Sequence, residues 1–390
     1  MKTYRVAILG CRGRGTSAAR AYHAHPRTEI VALCDLVAEL LNALGDELGV
    51  AARYDDLDAM MREHEPDIVA IPTGTEFHYP LAMRILQYGA HIDIEKPLCV
   101  DCAEADEVLA KAREKNAQIA VHHQGRVGVW MKAVAKAIDE GRIGELRHIH
   151  GHGKMYYGGY NLMNIGTHMI NNMLKVAGKC RAVSATATTD GHPITPQDVV
   201  PSPQGMGTIV GEHITATLDF ADGVSATLLQ HHFPTGVNPV IEFCGTEGRV
   251  VLSQLVWKQA CGALLLPQPH YALNNEREPY EPLEPEFCEG YDPESSAHPD
   301  DYAYVDEYVA ALDEGREHEC SGTVGHHVVE IMMGIFESAA YGHRVSLPQA
   351  DRSHPLLRWR KEHGLPPPEP MPRPLAEWNV AEAVRLGRGA

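Results

Sequence analysis

Short apolar runs alternate with amphipathic segments through the first third of the chain. The apolar runs occupy residues 4–9, 29–34, 67–71 and 90–94, and helical periodicity occupies residues 16–25, 36–48, 55–63 and 77–88. The apolar runs are rich in β-branched residues and are typical of strands with both faces covered. Such strands, alternating with helices over short connections, predict an α/β domain with a doubly wound parallel sheet.

The pattern changes to strands beyond about residue 145. Alternation with a period of two covers residues 179–189, 213–220, 224–233, 240–244 and 249–257. This pattern predicts a second domain that is rich in β-sheet. Residues 258–300, rich in Pro, Glu, Asn and Tyr, are interpreted as a long surface excursion or a lid, and helices are predicted over 301–314 and 323–341.

Length and charge limit the classes of function. At 390 residues the chain is too long for one ordinary core and suits two domains. Lys and Arg total 34 against 52 Asp and Glu, and the net charge of -18 opposes binding to nucleic acid. No apolar run reaches the ~20 residues of a membrane helix, and no apolar leader precedes the first strand. We therefore expect a cytoplasmic protein without a membrane or nucleic-acid partner.

The sequence carries no strong metal-binding pattern. The nine Cys are scattered, and Cys99-x-x-Cys102, the only close pair, has no second pair with which to build a zinc site. His148, His150 and His152 share one face of a predicted strand, but strand neighbours rarely converge on a metal without further ligands. We expect reduced thiols and no metal.

A glycine-rich turn follows the first predicted strand and precedes the first helix. Its sequence is Gly10-Cys11-Arg12-Gly13-Arg14-Gly15. Glycines at such a turn let the backbone approach a pyrophosphate, and the following helix presents free N–H groups to that anion. The spacing departs from G-x-G-x-x-G because Arg12 replaces the middle glycine. The turn alone is therefore also compatible with an α/β protein that binds no nucleotide.

Asp35 ends the second predicted strand. An acidic side chain at this position accepts hydrogen bonds from the ribose hydroxyls of NAD and repels the extra phosphate of NADP. The alternative is that Asp35 caps the helix predicted over 36–48, and the two roles are compatible. Together with the glycine turn, Asp35 predicts NAD rather than NADP as the cofactor.

Several motifs resemble those of one oxidoreductase family. The run Gly89-Ala90-His91-Ile92-Asp93-Ile94-Glu95-Lys96-Pro97 resembles the Glu-Lys-Pro signature of the glucose-fructose oxidoreductase/inositol dehydrogenase (Gfo/Idh/MocA) family. Segments 121–126, 143–149, 158–168, 245–250 and 341–348 resemble its later landmarks. The resemblance covers roughly residues 4–348.

The resemblance implies three parts of the chain. Residues 1–124 would form a dinucleotide-binding Rossmann domain. Residues 125–348 would form an α+β domain with an open, mostly antiparallel sheet that binds substrate and packs against a neighbour, giving a homodimer or homotetramer. The last helices of that domain would return to the Rossmann domain. Residues 349–390 lie beyond the family's usual end, and their closely spaced prolines between Pro366 and Pro374 predict a stiff, extended run.

The resemblance also implies roles for individual residues. NAD would bind at Gly10, Arg12, Gly13, Arg14, Gly15, Asp35, Pro72, Thr73, His78, Glu95, Lys96 and Gln124. Lys96 would hydrogen-bond the reacting hydroxyl of the substrate, and His168 would be the general base, for which imidazole is suited near neutral pH. Arg126, Tyr156, Tyr157 and Tyr160 are further candidates for substrate contact, with packing as the alternative for the three tyrosines.

Two positions depart from the family's pattern. The family usually has Asp four residues before the catalytic His and often Asp three residues after it, whereas this chain has Asn164 and Asn171. Residues four apart share a helix face, so Asn164 can still contact His168. An amide cannot supply the charge that stabilises an imidazolium. Either another residue supports the base, or the chemistry on the sugar differs.

Three functions are compatible with these residues. The first is an NAD-dependent dehydrogenase that acts on a ring hydroxyl of a sugar, polyol or sugar derivative. The second is an oxidoreductive glycoside hydrolase or lyase, which would hold NAD tightly and recycle it during cleavage. The third is a non-catalytic regulator that senses a dinucleotide, but the presence of both Lys96 and His168 favours an enzyme.

Overall fold

The computed structural model describes residues 1–153, 157–231, 240–253, 262–266 and 281–388. The chain divides into two compact units. The first comprises Met1–Cys99, Glu104–Val129 and Phe287–His326, and the second comprises Val100–Ala103, Trp130–Glu286 and His327–Ala390. Tyr156, the ends of two predicted strands and much of the predicted surface excursion lie outside the described residues.

Strands and helices alternate in the first part of the chain. The strands are β1 (Tyr4–Leu9), β2 (Thr28–Cys34), β3 (Arg53–Tyr54), β4 (Ile68–Ile71), β5 (His91–Ile94) and β6 (Ile119–Val121). The helices are α1 (Arg14–Ala24), α2 (Ala38–Leu48), α3 (Leu57–His64), α4 (His78–Ile85), α5 (Cys102–Glu114) and α6 (Gln124–Val127), with short 3-10 turns at Thr75–Phe77 and Leu86–Tyr88.

These six strands form one parallel sheet in the order β3-β2-β1-β4-β5-β6. Val6, Ile8 and Ile68 at its centre are fully buried, because both faces of the sheet are covered. The strand order reverses between β1 and β4, and ligands of such sheets bind at the carboxyl ends of the strands beside this reversal. The predicted doubly wound domain is confirmed.

A helix from late in the chain completes the core of the first unit. This helix, α10 (Pro299–Glu314), buries Tyr302, Tyr304 and Tyr308 in the same cluster as β1. The Tyr308 hydroxyl donates to the carbonyl of Ile92 over 2.9 Å, which joins the helix to β5. The next helix, α11 (Gly322–Tyr341), begins in the first unit and ends in the second.

The second unit contains a larger sheet. Its strands are β7 (Leu146–His152), β8 (Cys180–Thr189), β9 (His192–Pro193), β12 (His213–Phe220), β13 (Ser225–His231), β14 (Val240–Gly245), β15 (Arg249–Ser253), β16 (Gly262–Leu266), β17 (Glu281–Pro282) and β18 (Val345–Ser346), and a separate pair consists of β10 (Val200–Pro201) and β11 (Thr208–Ile209). Its helices are α7 (Val129–Asp139), α8 (Gly158–Asn161), a π-helical turn (Leu162–Gly166), α9 (Thr167–Ala177), α12 (Pro355–Glu362) and α13 (Leu375–Arg385).

The order of this sheet is β17-β16-β15-β14-β7-β13-β12-β8-β18, with β9 paired to β8. The pair β7 and β13 is parallel and the other pairs are antiparallel, which confirms the predicted class of a mostly antiparallel sheet. Gly151 lies in the central strand β7, where a Cβ atom would be 2.6 Å from the Met173 side chain. A glycine there lets α9 pack closely on the sheet.

Two helices in the C-terminal segment flank the proline run. Helix α12 begins with Pro355 at its first position, where the missing N–H of proline costs no hydrogen bond. Helix α13 is rich in the good helix formers Leu, Ala, Glu and Arg and buries Trp378. The sequence pattern emphasised the prolines and did not predict either helix.

Candidate active site

The predicted cofactor residues lie at the carboxyl edge of the parallel sheet. Gly10 follows β1, Asp35 follows β2, Pro72 and Thr73 follow β4, Glu95 and Lys96 follow β5, and Gln124 follows β6. Because all six strands are parallel, these positions share one edge of the first unit. The structure therefore brings together residues that are spread over more than a hundred positions of sequence.

Two of the glycines are required by the geometry of the turn. Gly10 has a φ of 116°, in the region that favours glycine. A Cβ atom on Gly15 would lie 1.9 Å from the Gly10 carbonyl oxygen, so no side chain fits there. Arg12 and Gly13 are exposed at the tip of the turn, and α1 begins at Arg14. The start of α1 is thus accessible to an anion such as a pyrophosphate.

Asp35 is bound to the glycine turn by its side chain. One carboxylate oxygen accepts from the backbone N–H of Cys11 over 2.6 Å, and the other accepts from Val37 N–H over 2.8 Å. Helix α2 begins only at Ala38, with Val37 as the residue before it. Asp35 therefore joins the turn to the end of β2, and each oxygen keeps a second lone pair for a ligand hydroxyl.

Two buried polar atoms at this edge have no hydrogen-bond partner among the described residues. They are the hydroxyl oxygen of Thr73 and the amide oxygen of Gln124. Buried polar groups are normally satisfied, and unsatisfied ones at a ligand-binding edge fit a site that a polar cofactor completes. Together with the glycine turn and Asp35, they provide the chemistry that a dinucleotide needs.

His78 has a different environment. It is fully buried, with Nδ1 2.9 Å from the Pro97 carbonyl and Nε2 3.1 Å from the Thr73 carbonyl. Burial lowers the pKa of His78 despite these contacts. The ring therefore holds the segments after β4 and β5 together, and direct contact of His78 with a cofactor stays a prediction.

Arg14, at the end of the glycine turn, forms an ion pair with the buried Glu95 and is itself partly exposed. Arg14 Nε donates to Glu95 over 2.8 Å, and Arg14 Nη2 donates to Asp301 of α10 over 2.9 Å. Burial alone would raise the pKa of the Glu95 carboxyl, but the positive charges of Arg14 and Lys96 hold it below its ordinary value. Lys96, next in the chain, is partly exposed.

Three residues of this network were not identified from the sequence. His122 lies 3.0 Å from Asp93 and 3.2 Å from Asp301, and all three are buried. Burial alone would lower the pKa of His122, but the two carboxylates raise it to about 10. No local pattern indicated Asp301, which follows Arg14 by 287 residues. The only sequence feature at Asp301 is that an acidic residue stands near the start of a predicted helix.

The helical segment with the predicted base exposes very little of its surface. Every residue from 157 to 174 is described, and all are buried except Asn164 and His168, which are partly exposed. The two residues lie four apart, and a π-helical turn covers Leu162–Gly166. Such turns are frequent at functional sites. The segment thus presents two polar side chains on an otherwise buried surface.

The other predicted substrate residues have different environments. Asn164 donates from its amide nitrogen to the Tyr160 hydroxyl over 3.0 Å. Tyr157 is only 4% exposed and its ring packs edge-on against Trp378, so its contact with substrate stays a prediction. Arg126 lies in α6 of the first unit and is partly exposed. Burial lowers the pKa of the Arg126 guanidinium.

Among the residues that the structure describes, no group of three or more His, Cys, Asp or Glu could hold a metal ion. No helix within the described ranges is long and apolar enough to cross a membrane.

Two family models match the chain. Residues 4–123 match the model described as "Oxidoreductase family, NAD-binding Rossmann fold" of the Gfo/Idh/MocA group. Residues 131–251 match the Gfo/Idh/MocA C-terminal domain. The first model covers β1 to β6, and the second includes the helix of His168.

Curated relatives match about half of their own length or less. D-glucoside 3-dehydrogenase of Escherichia coli (strain K12) is 29% identical over 189 residues, which cover 45% of this chain and 54% of the relative. D-apiose dehydrogenase of Paraburkholderia graminis is 30% identical over 144 residues, covering 37% and 38%. Inositol 2-dehydrogenase of Rhizobium meliloti is 31% identical over 144 residues, covering 37% and 43%.

Solved structures of similar fold cover most of the chain. Levoglucosan dehydrogenase in complex with NADH and levoglucosan has a TM-score of 0.72 at 21% identity, covering 89% of this chain and 100% of that one. An oxidoreductase from Agrobacterium radiobacter in complex with NAD+, L-tartaric acid and magnesium has a TM-score of 0.71 at 18% identity, covering 88% and 98%. At these identities the likeness establishes the fold.

Proposed function

We propose that this chain, which belongs to the Gfo/Idh/MocA family of NAD-binding oxidoreductases, oxidises a ring hydroxyl of a sugar, polyol or sugar derivative. Relatives named as glucoside, apiose and inositol dehydrogenases support this class of substrate. The observation that carries the proposal is the partial exposure of only Asn164 and His168 along the buried segment 157–174. A polar pair presented in this way suits a group that must reach a substrate.

The first unit would hold NAD, which supplies the hydride acceptor when it is bound. The glycine turn lets the backbone approach the pyrophosphate, and the start of α1 offers N–H groups and a positive dipole to it. The Asp35 carboxylate would accept hydrogen bonds from the ribose hydroxyls. Thr73 and Gln124 would use their unsatisfied oxygens to bond the cofactor.

Lys96 and His168 would handle the proton of the reacting hydroxyl. The Lys96 ammonium would donate a hydrogen bond to the hydroxyl oxygen, which stabilises negative charge as the proton leaves. His168 would accept that proton on its imidazole. Asn164 carries no charge, so it would orient the imidazole and would not stabilise the imidazolium electrostatically.

Four single substitutions test these roles. We expect Lys96→Ala and His168→Ala each to lower kcat by about 10²- to 10⁴-fold, the usual contribution of a positioned acid or base. The Kd for NAD, measured by calorimetry, should change little. Lys115→Ala and His192→Ala are matched controls that remove the same side chains elsewhere. Full activity of both site variants would contradict the assignment.

The second sheet would also join copies of the chain in a homodimer or homotetramer. Along β13 of this sheet, buried residues alternate with partly exposed ones, so one face remains available for packing. Light scattering of the purified protein would give the number of copies. A monomer at micromolar concentration would contradict this part of the proposal.

A further inference from the structure

The C-terminal segment, residues 349–388, contacts the start of one continuous helical run in the second unit. This run consists of α8, the π-helical turn and α9 (residues 158–177), and it carries His168. Three separate parts of the segment make these contacts, through Arg373, Trp378 and Arg388. Each contact reaches a residue that touches the first turn of that helix. General packing would not require three separate parts of the segment to contact the surroundings of the same helical turn.

Trp378 fixes the residue from which the helix starts. Its side chain is wholly buried, and its indole N–H donates to the Pro201 carbonyl over 2.8 Å. Its ring meets the ring of Tyr157 edge-on, with centroids 5.0 Å apart, a favoured geometry for aromatic pairs. Tyr157 directly precedes α8.

Arg388 acts on the same turn through Glu212. The two side chains form a bidentate ion pair, in which Arg388 Nη2 donates to Glu212 Oε2 over 2.8 Å. Arg388 Nη2 also donates to Asp190 Oδ1 over 2.7 Å. The Glu212 carbonyl accepts from Gly158 N–H over 2.9 Å. A Cβ atom on Gly158 would lie 2.7 Å from that carbonyl oxygen. Gly158, the first residue of α8, is therefore in close contact with the backbone of Glu212, and the ion pair with Arg388 fixes the position of Glu212.

Arg373 begins a hydrogen-bonded chain that ends at Asn164. The Arg373 carbonyl accepts from Gln204 N–H over 2.8 Å. The Gln204 side-chain oxygen accepts from the Tyr160 hydroxyl over 2.7 Å, and that hydroxyl accepts from the Asn164 amide nitrogen over 3.0 Å. Gln204 has a φ of 59°, in the left-handed region. A fixed backbone bond from Arg373 helps to hold it there.

The direction of this chain determines how Asn164 is oriented. Because Tyr160 donates its only proton to Gln204, it can only accept from Asn164. The NH2 group of Asn164 must then face Tyr160. Its carbonyl oxygen is left as the acceptor for any other neighbour. An acceptor at this position can fix the tautomer of an imidazole without carrying a charge.

We propose that residues 349–388 clamp the first turn of the helix that carries His168, and that Tyr160 and Gln204 are positioning residues for Asn164. The clamp compensates for the absence of a carboxylate at position 164, because it fixes the orientation of the neutral Asn164 amide. The link to catalysis rests on the proposed function, in which His168 is the base. The clamp itself is a property of the fold.

Hydrogen–deuterium exchange of the full-length protein tests the clamp without a substrate. Trp378→Ala and Arg388→Ala should raise the exchange rate of amides in 158–168 by about tenfold, because local opening becomes easier. Amides of β1 in the other unit should exchange as in the wild type. Val380→Ala is the matched control, because Val380 lies on the same helix and is 55% exposed. Unchanged exchange over 158–168 in both variants would overturn the clamp.

Steady-state kinetics tests the positioning residues. Tyr160→Phe and Gln204→Met should lower kcat about tenfold, while KM for the sugar and Kd for NAD stay within about twofold of the wild type. Gln204→Glu keeps an oxygen acceptor for Tyr160 and should restore most of kcat. Wild-type kcat in Tyr160→Phe and Gln204→Met, in a protein that His168→Ala inactivates, would overturn the positioning role alone. If His168→Ala is fully active, the proposed function fails, and the exchange experiment still decides the clamp.

Discussion

The carboxylate of Asp35 accepts a hydrogen bond of 2.6 Å from the backbone N–H of Cys11. The end of the second strand and the glycine turn are therefore one structural element, although 24 residues of sequence separate the two partners. A negative charge fixed at this point favours ribose hydroxyls and opposes a ribose phosphate. We therefore expect the choice between NAD and NADP to depend on Asp35, a residue that the protein holds in place.

Replacing Asp35 with Ala should weaken NAD binding more than NADP binding. We expect the Kd for NAD to rise about tenfold or more, because a charge-assisted hydrogen bond contributes roughly 1.5 to 3 kcal/mol. The Kd for NADP should change little or fall, since repulsion of its phosphate is removed. Calorimetry with both cofactors measures the two constants. Equal losses for NAD and NADP would contradict the role of Asp35.

Glu39→Ala provides the matched control for that variant. Glu39 lies in the first turn of α2 and is exposed, so its removal changes the local charge without disturbing the bond to Cys11. We expect the ratio of the two Kd values in Glu39→Ala to equal that of the wild type. A shift in this ratio would show that net charge, and not the position of Asp35, sets the preference.

The buried network at His122 predicts a loss of stability at alkaline pH. The pKa of His122 is raised to about 10 in the folded protein, above its ordinary value of about 6.5. Its contribution to stability is therefore complete below about pH 6.5 and disappears as the pH rises towards 10. We expect the Tm of the wild type to fall more steeply than that of His122→Gln between about pH 7 and pH 10.

At neutral pH the same variant should be less stable than the wild type. Removing the cation leaves the Asp93 and Asp301 carboxylates buried with fewer partners, which costs about 3 to 5 kcal/mol in the free energy of unfolding. His23→Gln, on the exposed side of α1, should leave both the Tm and its pH dependence unchanged. Parallel Tm curves for the wild type and His122→Gln would contradict a charged His122.

The sequence was most informative where the signal is local. The apolar runs of β1, β2 and β4 and the glycines after β1 follow from periodicity and turn chemistry, which act over a few residues. The parallel arrangement then places Asp35, Thr73 and Lys96 at one edge without further information. Family resemblance added the roles of Lys96 and His168, which no pattern of spacing contains.

The sequence was least informative where contacts span long separations. Arg14 and Asp301 pair across 287 residues, and no local rule relates the two positions. Trp378 similarly packs on Tyr157 from the far end of the chain. The prolines predicted a stiff, extended run, whereas the contacts come from Arg373 within that run, from Trp378 of α13 and from Arg388 beyond α13. The positioning of Asn164 therefore required the structure.

Net oxidation of a sugar or polyol by NAD is the activity that we propose for this chain. The most direct measurement is a time course with purified protein, NAD and a panel of free sugars, polyols and aryl glycosides, recording NADH absorbance and released aglycone together. Accumulation of NADH with a free sugar or polyol, absent in His168→Ala, is the result we predict. Aglycone release without net NADH would contradict net oxidation and identify an oxidoreductive glycosidase. The absence of both NADH accumulation and aglycone release would favour a dinucleotide-sensing regulator.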